Sequence, residues 1–263
     1  MPFDPHQFLL LWTAYVLEGA HLFGVTATGD GKSCMFYFAL IVMMYFGKHG
    51  PSPCGRSWPK NPVAIIVLPL NAIEDELGPK LIALGLRIVI INKETLARGA
   101  RAVWTAAGDP ATQLLLLSPE ILLSKSFEQL LNTIFALRVV LLIVDEVHLL
   151  LTWGAAFRKV FRQIGLLRSR FPGKVQIIAL SATVMPGAEV NDICASLGLR
   201  AADLRFDRRC NLRGNLVLER QTMTSSLDGP DFPDLRWMVA HNLKAVVFCR
   251  TIARAWRMCS YLW

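Results

Sequence analysis

Continuous apolar runs recur along the chain at His21–Thr26, Val63–Leu68, Arg87–Ile91, Gln113–Leu117, Val139–Val144 and Val175–Leu180. Runs of this length without polar alternation predict strands buried on both faces. Between them lie stretches with helical spacing: Ser33–Phe46, Ala72–Leu84, Thr95–Ala106, Phe127–Ala136, Phe157–Arg170 and Val190–Leu197. This alternation is the βαβ pattern and predicts a parallel α/β sheet flanked by helices. Ligands on such sheets sit beyond the carboxyl ends of the strands. Gly47–Pro62 is rich in Gly, Pro and Ser and predicts a surface loop. Ser225–Pro233 predicts a linker that separates a first domain, 1–224, from a short second piece, 234–263. In that piece one helix, one strand (Lys244–Cys249) and one helix (Ile252–Leu262) are expected.

Composition narrows the class. The chain has 263 residues, of which 53% are hydrophobic, and a mean hydropathy of +0.40. A chain of this kind buries a sizeable core and is not disordered. Its most apolar run, Met35–Phe46, falls short of the roughly 20 residues that span a bilayer, so no membrane segment is expected. Asp4 and the lack of a basic flank before Phe8–Leu11 argue against a secretory signal. The 6 cysteines are scattered without a Cys-x-x-Cys pair, which suits reduced thiols in cytosol or nucleus and leaves no zinc site visible.

The net charge of +8 and pI near 9.4 suit an anionic partner. Their distribution sharpens this. Val147–Ala188 holds no acidic residue but carries Arg158, Lys159, Arg162, Arg168, Arg170 and Lys174. Arg200, Arg205, Arg208, Arg209 and Arg213 form a second cluster.

Two segments carry the chemistry. Thr26-Ala27-Thr28-Gly29-Asp30-Gly31-Lys32-Ser33 reads as a glycine-containing loop that cradles phosphates, placed between an apolar strand and a helix whose N-terminus faces them. Leu142-Ile143-Val144-Asp145-Glu146-Val147-His148 is an apolar strand that delivers adjacent carboxylates. Alone, the first also fits a turn before a buried helix, and the second a helix cap. Together they match what a nucleoside triphosphate with Mg²⁺ requires: donors for the phosphates, oxygen ligands for the metal, and an acid to orient water.

With these segments in place, Asp145-Glu146-Val147-His148 resembles motif II of the superfamily 2 helicases. Thr152-Trp153-Gly154-Ala155-Ala156-Phe157-Arg158, followed by Phe161-Arg162 and Phe171-Pro172, resembles the aromatic-rich loop and helix of the RecQ family. Further resemblances fall in the family's order: Phe3-x-x-x-Gln7 (motif 0), Leu68-Pro69-Leu70 (Ia), Ser118-Pro119-Glu120 (Ib) and Leu180-Ser181-Ala182-Thr183 (III). Phe206-Asp207-Arg208 and Val247-Phe248-Cys249-Arg250, like the start of motif IV, complete the series. The resemblance implies a RecA-like P-loop NTPase domain followed by the start of a second RecA-like domain, the chain being a fragment that lacks motifs V and VI.

The resemblance also implies roles. Gln7 would read adenine, and Thr28, Gly29, Asp30, Gly31, Lys32 and Ser33 would hold the phosphates of ATP. Ser33 and Asp145 would bind Mg²⁺, with Lys32, Asp145, Glu146 and His148 serving catalysis. Ser181 and Thr183 would couple the nucleotide to DNA, and Trp153, Phe157 and Arg158 would sense single-stranded DNA, as aromatic and arginine side chains do by stacking on bases. The implied activity is ATP-dependent DNA unwinding, 3′ to 5′, on single strands or junctions, in the nucleus or the cytoplasm. A catalytically weak ATP- and nucleic-acid-binding module, and an RNA-directed superfamily 2 ATPase, stand as alternatives. The sequence departs from the family at Asp4, where a basic residue is usual, at Thr26 in place of the first loop glycine, and at Asp30, a carboxylate inside the phosphate loop.

Overall fold

The computed structural model describes residues 5–69, 71–152, 170–211, 217, 220, 222–240 and 246–262. It contains two compact units, Met1–Leu212 and Arg213–Trp263.

The first unit is built on a seven-stranded parallel sheet. Its strands are β1 (His21–Val25), β2 (Val63–Val67), β3 (Ile88–Ile91), β4 (Leu114–Leu117), β5 (Val139–Val144), β6 (Gln176–Ser181) and β7 (Leu204–Arg208), in the order β3-β4-β2-β5-β6-β1-β7. Every residue of β1, β2, β4, β5 and β6 is buried. Hence these strands are unbroken apolar runs: successive side chains enter opposite faces, and both faces are covered.

The two faces form separate cores. Phe23, Val25, Ile65, Val67, Leu142, Val144, Ile177 and Ala179 point to one side. They pack there with Phe127 of α5 (Lys125–Leu131) and with Ile193 and Leu197 of α7 (Ala188–Leu197), which follows the one-turn α6 (Leu149–Thr152). Leu22, Ala64, Ile66, Leu141, Ile143, Ile178 and Leu180 point to the other. There they meet Phe8 and Trp12 of α1 (Gln7–Glu18), Leu40 and Met43 of α2 (Phe38–His49), and Leu77 and Leu81 of α3 (Asn71–Ala83). Each buried Val, Leu, Ile, Phe or Met among them contributes about 1.5–3 kcal/mol. α4 (Lys93–Gly108) covers β3 and starts with a reciprocal cap, Thr95 N–H donating to Asn92 Oδ1 while Asn92 N–H donates to Thr95 Oγ1.

Several expected elements differ in detail. The helix expected over Ser33–Phe46 is a short 3₁₀ turn, Lys32–Phe36, followed by α2 from Phe38. Ser33, Cys34, Phe36 and Tyr37 in this stretch are weak helix formers, and the tighter turn takes the first step. The helix expected over Phe127–Ala136 likewise divides into α5 and a 3₁₀ turn, Ile134–Arg138, around the Thr133 cap. Most of the helix expected over Phe157–Arg170 lies outside the described residues. α1 and β7 complete the unit without having been anticipated.

In the second unit, α8 (Arg236–Ala240) and α9 (Ile252–Leu262) are present. The strand expected over Lys244–Cys249 is not found among the described residues: Val246–Cys249 carries no ladder pairing, as a strand without a neighbour does not persist. The Ser225–Pro233 segment, expected as a linker, is tied down within this unit. Asp234 accepts hydrogen bonds from the backbone and hydroxyls of Thr224 and Ser225, and these hold its carboxyl down at about 2. Arg254 of α9 reaches the Asp228 carboxylate at 3.2 Å, and Arg257 donates to the carbonyls of Leu227, Asp228 and Gly229.

Candidate active site

The site forms where β1, β5 and β6 end. β1 leads into the phosphate loop, whose first residue is fixed to the neighbouring strand by Thr26 N–H donating to Ser181 O at 3.1 Å. Gly29 and Gly31 take φ of 92° and 84°, a left-handed conformation that side chains disfavour. Thr28, Gly29 and Ser33 are exposed along the loop rim, whereas Lys32 is only 7% exposed. Thr26, buried, donates from Oγ1 to Asp30 Oδ2 at 2.6 Å. The two departures in the loop therefore compensate one another: the hydroxyl replacing a glycine binds the carboxylate that follows it.

β5 ends at Val144, and Asp145 N–H donates to Val67 O at 3.2 Å, which aims the carboxylates off the sheet edge. Lys32 Nζ bridges to Glu146 Oε1 at 3.1 Å, joining loop and strand end. Glu146 is a non-glycine residue with a positive φ of 49°. Such backbone strain is held in place by its surroundings and gathers at functional sites. Val147 N–H donating to Leu180 O at 3.0 Å supplies part of that restraint.

Asp145 is 4% exposed, and burial raises its carboxyl to about 6, against a smaller opposing pull from Lys32 and a further push from the Glu146 charge. Asp145 Oδ1 is buried without a hydrogen-bond donor. An orphaned carboxylate oxygen of this kind fits a hard divalent cation, which takes oxygen ligands. Among the described residues no three His, Cys, Asp or Glu side chains gather as a cage. The donor set instead suits Mg²⁺ held by one carboxylate together with substrate phosphates.

His148 links this end to β6. Its Nδ1 lies 3.1 Å from Ser181 Oγ and 3.2 Å from Glu146 Oε2. Ser181 Oγ also accepts from Thr183 N–H at 3.2 Å. Lys32, Glu146, His148, Ser181 and Thr183 thus form one chain of contacts from the phosphate loop to the loop after β6. Gln7 stands apart from that chain, exposed at the start of α1. Trp153, Phe157 and Arg158 lie outside the described residues.

With this geometry, the chain matches the DEAD/DEAH box helicase pattern over residues 10–193. The chain belongs to the DEAD/DEAH box helicase family. It is similar to the ATP-dependent DNA helicase Q5 of Mus musculus, 28% identical over 80% of this chain and 20% of that protein. It is also 28% identical to the ATP-dependent DNA helicase RecQ of Pasteurella multocida, over 76% of this chain and 29% of that protein. The chain thus spans under a third of the length of these RecQ-type relatives. The DUF1998 helicase MrfA has the same fold, with a TM-score of 0.69 and 15% identity over 99% of this chain and 38% of that one. Among the described residues no helix is long and apolar enough to cross a membrane.

The fold also ties in residues that were read as a charge cluster, within the Phe206-Asp207-Arg208 resemblance, or not at all. Arg208 donates to Val184 O, and Asn211 to Ala182 O, so the end of β7 and the residues after it clasp the loop that follows Ser181. Trp12 Nε1 donates to Asp207 Oδ2 at 2.5 Å, locking α1 to β7. Sequence pattern signals none of these, because each pairs positions remote in the chain.

Proposed function

We propose that this chain is the nucleotide-binding motor domain of a RecQ-type ATP-dependent DNA helicase. The observation that carries the reading is the convergence of Lys32, Asp145-Glu146 and His148-Ser181 at one end of the sheet, in a chain of helicase family. Lys32 and the loop N–H groups would take the β- and γ-phosphates. Ser33 and Asp145 would hold Mg²⁺, which neutralises developing phosphate charge when bound. Glu146, released from Lys32 as phosphates arrive, would orient the attacking water. His148, in contact with both Glu146 and Ser181, would pass the state of the phosphates to Ser181, Thr183 and the DNA. Translocation 3′ to 5′ on single-stranded DNA, with Trp153, Phe157 and Arg158 stacking on bases, follows from the RecQ resemblance.

The test is nucleotide binding by calorimetry. Lys32→Ala should weaken ATP·Mg²⁺ clearly, and unchanged affinity sinks the assignment. Single-stranded DNA should bind with affinity that falls as salt rises. Trp153→Ala should cost that binding roughly 1–3 kcal/mol, and single-stranded RNA should compete poorly. A second reading, a module that binds ATP but turns it over slowly and separates no strands, is favoured by Asp30, which keeps a carboxylate within the phosphate loop even though Thr26 binds one of its oxygens. DNA-stimulated turnover at ordinary helicase rates excludes it.

A further inference from the structure

The phosphate end of the site is well furnished, but the base end needs a flat surface on which a purine can lie. Phe8 of α1 is the aromatic ring nearest the start of that helix, yet it is only 4% exposed. Its face is covered by the guanidinium of Arg209, centred 4.3 Å from the ring. His6 stacks beside the same ring at 6.0 Å. A guanidinium lying on an aromatic face has a second face of its own, and here Arg209 is exposed. The accessible flat surface at this corner is therefore the arginine and not the phenylalanine beneath it.

Arg209 is also pinned where a nucleotide would need it. Its backbone N–H donates to Val25 O at 2.8 Å, at the last residue of β1 and one residue before the phosphate loop begins. From the other side, His6 comes within 4.0 Å of where a side chain on Gly31 would start. Phosphate loop, His6, exposed Gln7 and Arg209 thus share one rim.

We infer that Arg209 stacks on the adenine of bound ATP, forming a wall of the base pocket from the residue that follows β7 rather than from α1. The inference rests on the ATP reading above. Phe8 serves as the backing that holds the guanidinium plane, and Gln7 would face the base edge. The phosphates make no use of Arg209.

The experiment compares affinities for ATP and for inorganic tripolyphosphate, by competition against a fluorescent ATP analogue, in the 263-residue chain. Arg209→Ala should weaken ATP about 3- to 30-fold, the range for losing a cation–π-type contact. Tripolyphosphate should bind as before. Arg209→Lys keeps the charge but not the plane, and should recover only a small part of the loss. Equal weakening of both ligands, or full recovery by lysine, overturns the inference in favour of a general electrostatic role. Unchanged ATP affinity also overturns it. Lys32→Ala separates the two levels: if that variant binds both ligands normally, the phosphate-loop reading fails, whatever Arg209→Ala does.

Discussion

Asp145 carries the largest consequence of a single side chain in the site. Its carboxyl is raised from an ordinary 3.8 to about 6 because burial penalises the charge. A carboxyl raised in the folded state stabilises that state when protonated. Its contribution is present below about 4, fades as pH climbs toward 6, and is gone above it. In metal-free protein, Asp145→Asn should therefore raise the melting temperature at pH 7.5 and remove this portion of the pH dependence, read by thermal scans with chelator. The same variant should lose the stabilisation that Mg²⁺ with nucleotide confers. Gly24 is the residue-scale counterpart in the core. A Cβ there would stand 2.5 Å from the Trp12 ring, so β1 accepts glycine because the indole lies directly on its backbone. Gly24→Ala should cost roughly 1–3 kcal/mol in urea unfolding. It should also disturb the Trp12–Asp207 hydrogen bond, visible as a shift in tryptophan emission.

Elements are joined by side chains that satisfy loose backbone ends. Arg138, at the turn entering β5, donates to the carbonyls of Asn61, Asp109 and Thr112. These carbonyls precede β2 and β4, so one guanidinium gathers the amino ends of three adjacent strands. Partial burial lowers its pKa, with the Asp109 charge acting the other way. Arg138→Met should keep the aliphatic packing and strand three acceptors, costing about 1–3 kcal/mol. Hydrogen exchange should show the loss centred on β2, β4 and β5. At the opposite end of the sheet, Arg208 and Asn211 play the same part for the loop after β6. Because that loop follows Ser181, loosening it with Asn211→Ala should reduce the effect of DNA on nucleotide affinity more than it reduces nucleotide affinity itself.

On the scale of the molecule, the first unit has both sheet faces covered, while the second leaves large apolar groups in water. Phe248 is 94% exposed and Trp256 70% exposed. Large apolar groups exposed to water promote association. Sedimentation should reveal concentration-dependent self-association of the 263-residue chain, reduced by Phe248→Ser with Trp256→Ser. Catalysis belongs to this scale too. Hydrolysis in phosphoryl-transfer enzymes gains about 10³–10⁵ from an arginine that faces the γ-phosphate. If none of this chain's arginines fills that place, turnover should remain very slow even though ATP binds. A steady-state ATPase assay with and without single-stranded DNA decides between the two.

The central strands and the carboxylate pair were legible in the sequence because their physics is local. A strand buried on both faces must be an apolar run, so β1, β2, β4, β5 and β6 announce themselves. A phosphate loop and a strand-end carboxylate pair are contiguous residue patterns. β7 was not legible, since as an edge strand it leaves Arg205, Phe206 and Arg208 exposed and has no apolar run. α1 is apolar nearly all round, which weakens the one-sided pattern by which a helix is recognised. The 3₁₀ turn at Lys32–Phe36 depends on how the loop meets the sheet, and no spacing rule reports it. What the tertiary structure alone decided is which residues meet: Thr26 with Asp30 across the loop and, from remote parts of the chain, Lys32 with Glu146, His148 with Ser181, and Arg209 over Phe8. Sequence determines the kinds of groups and the elements that carry them. The order of strands in the sheet, set by packing of both faces, determines which of those groups come within bonding distance.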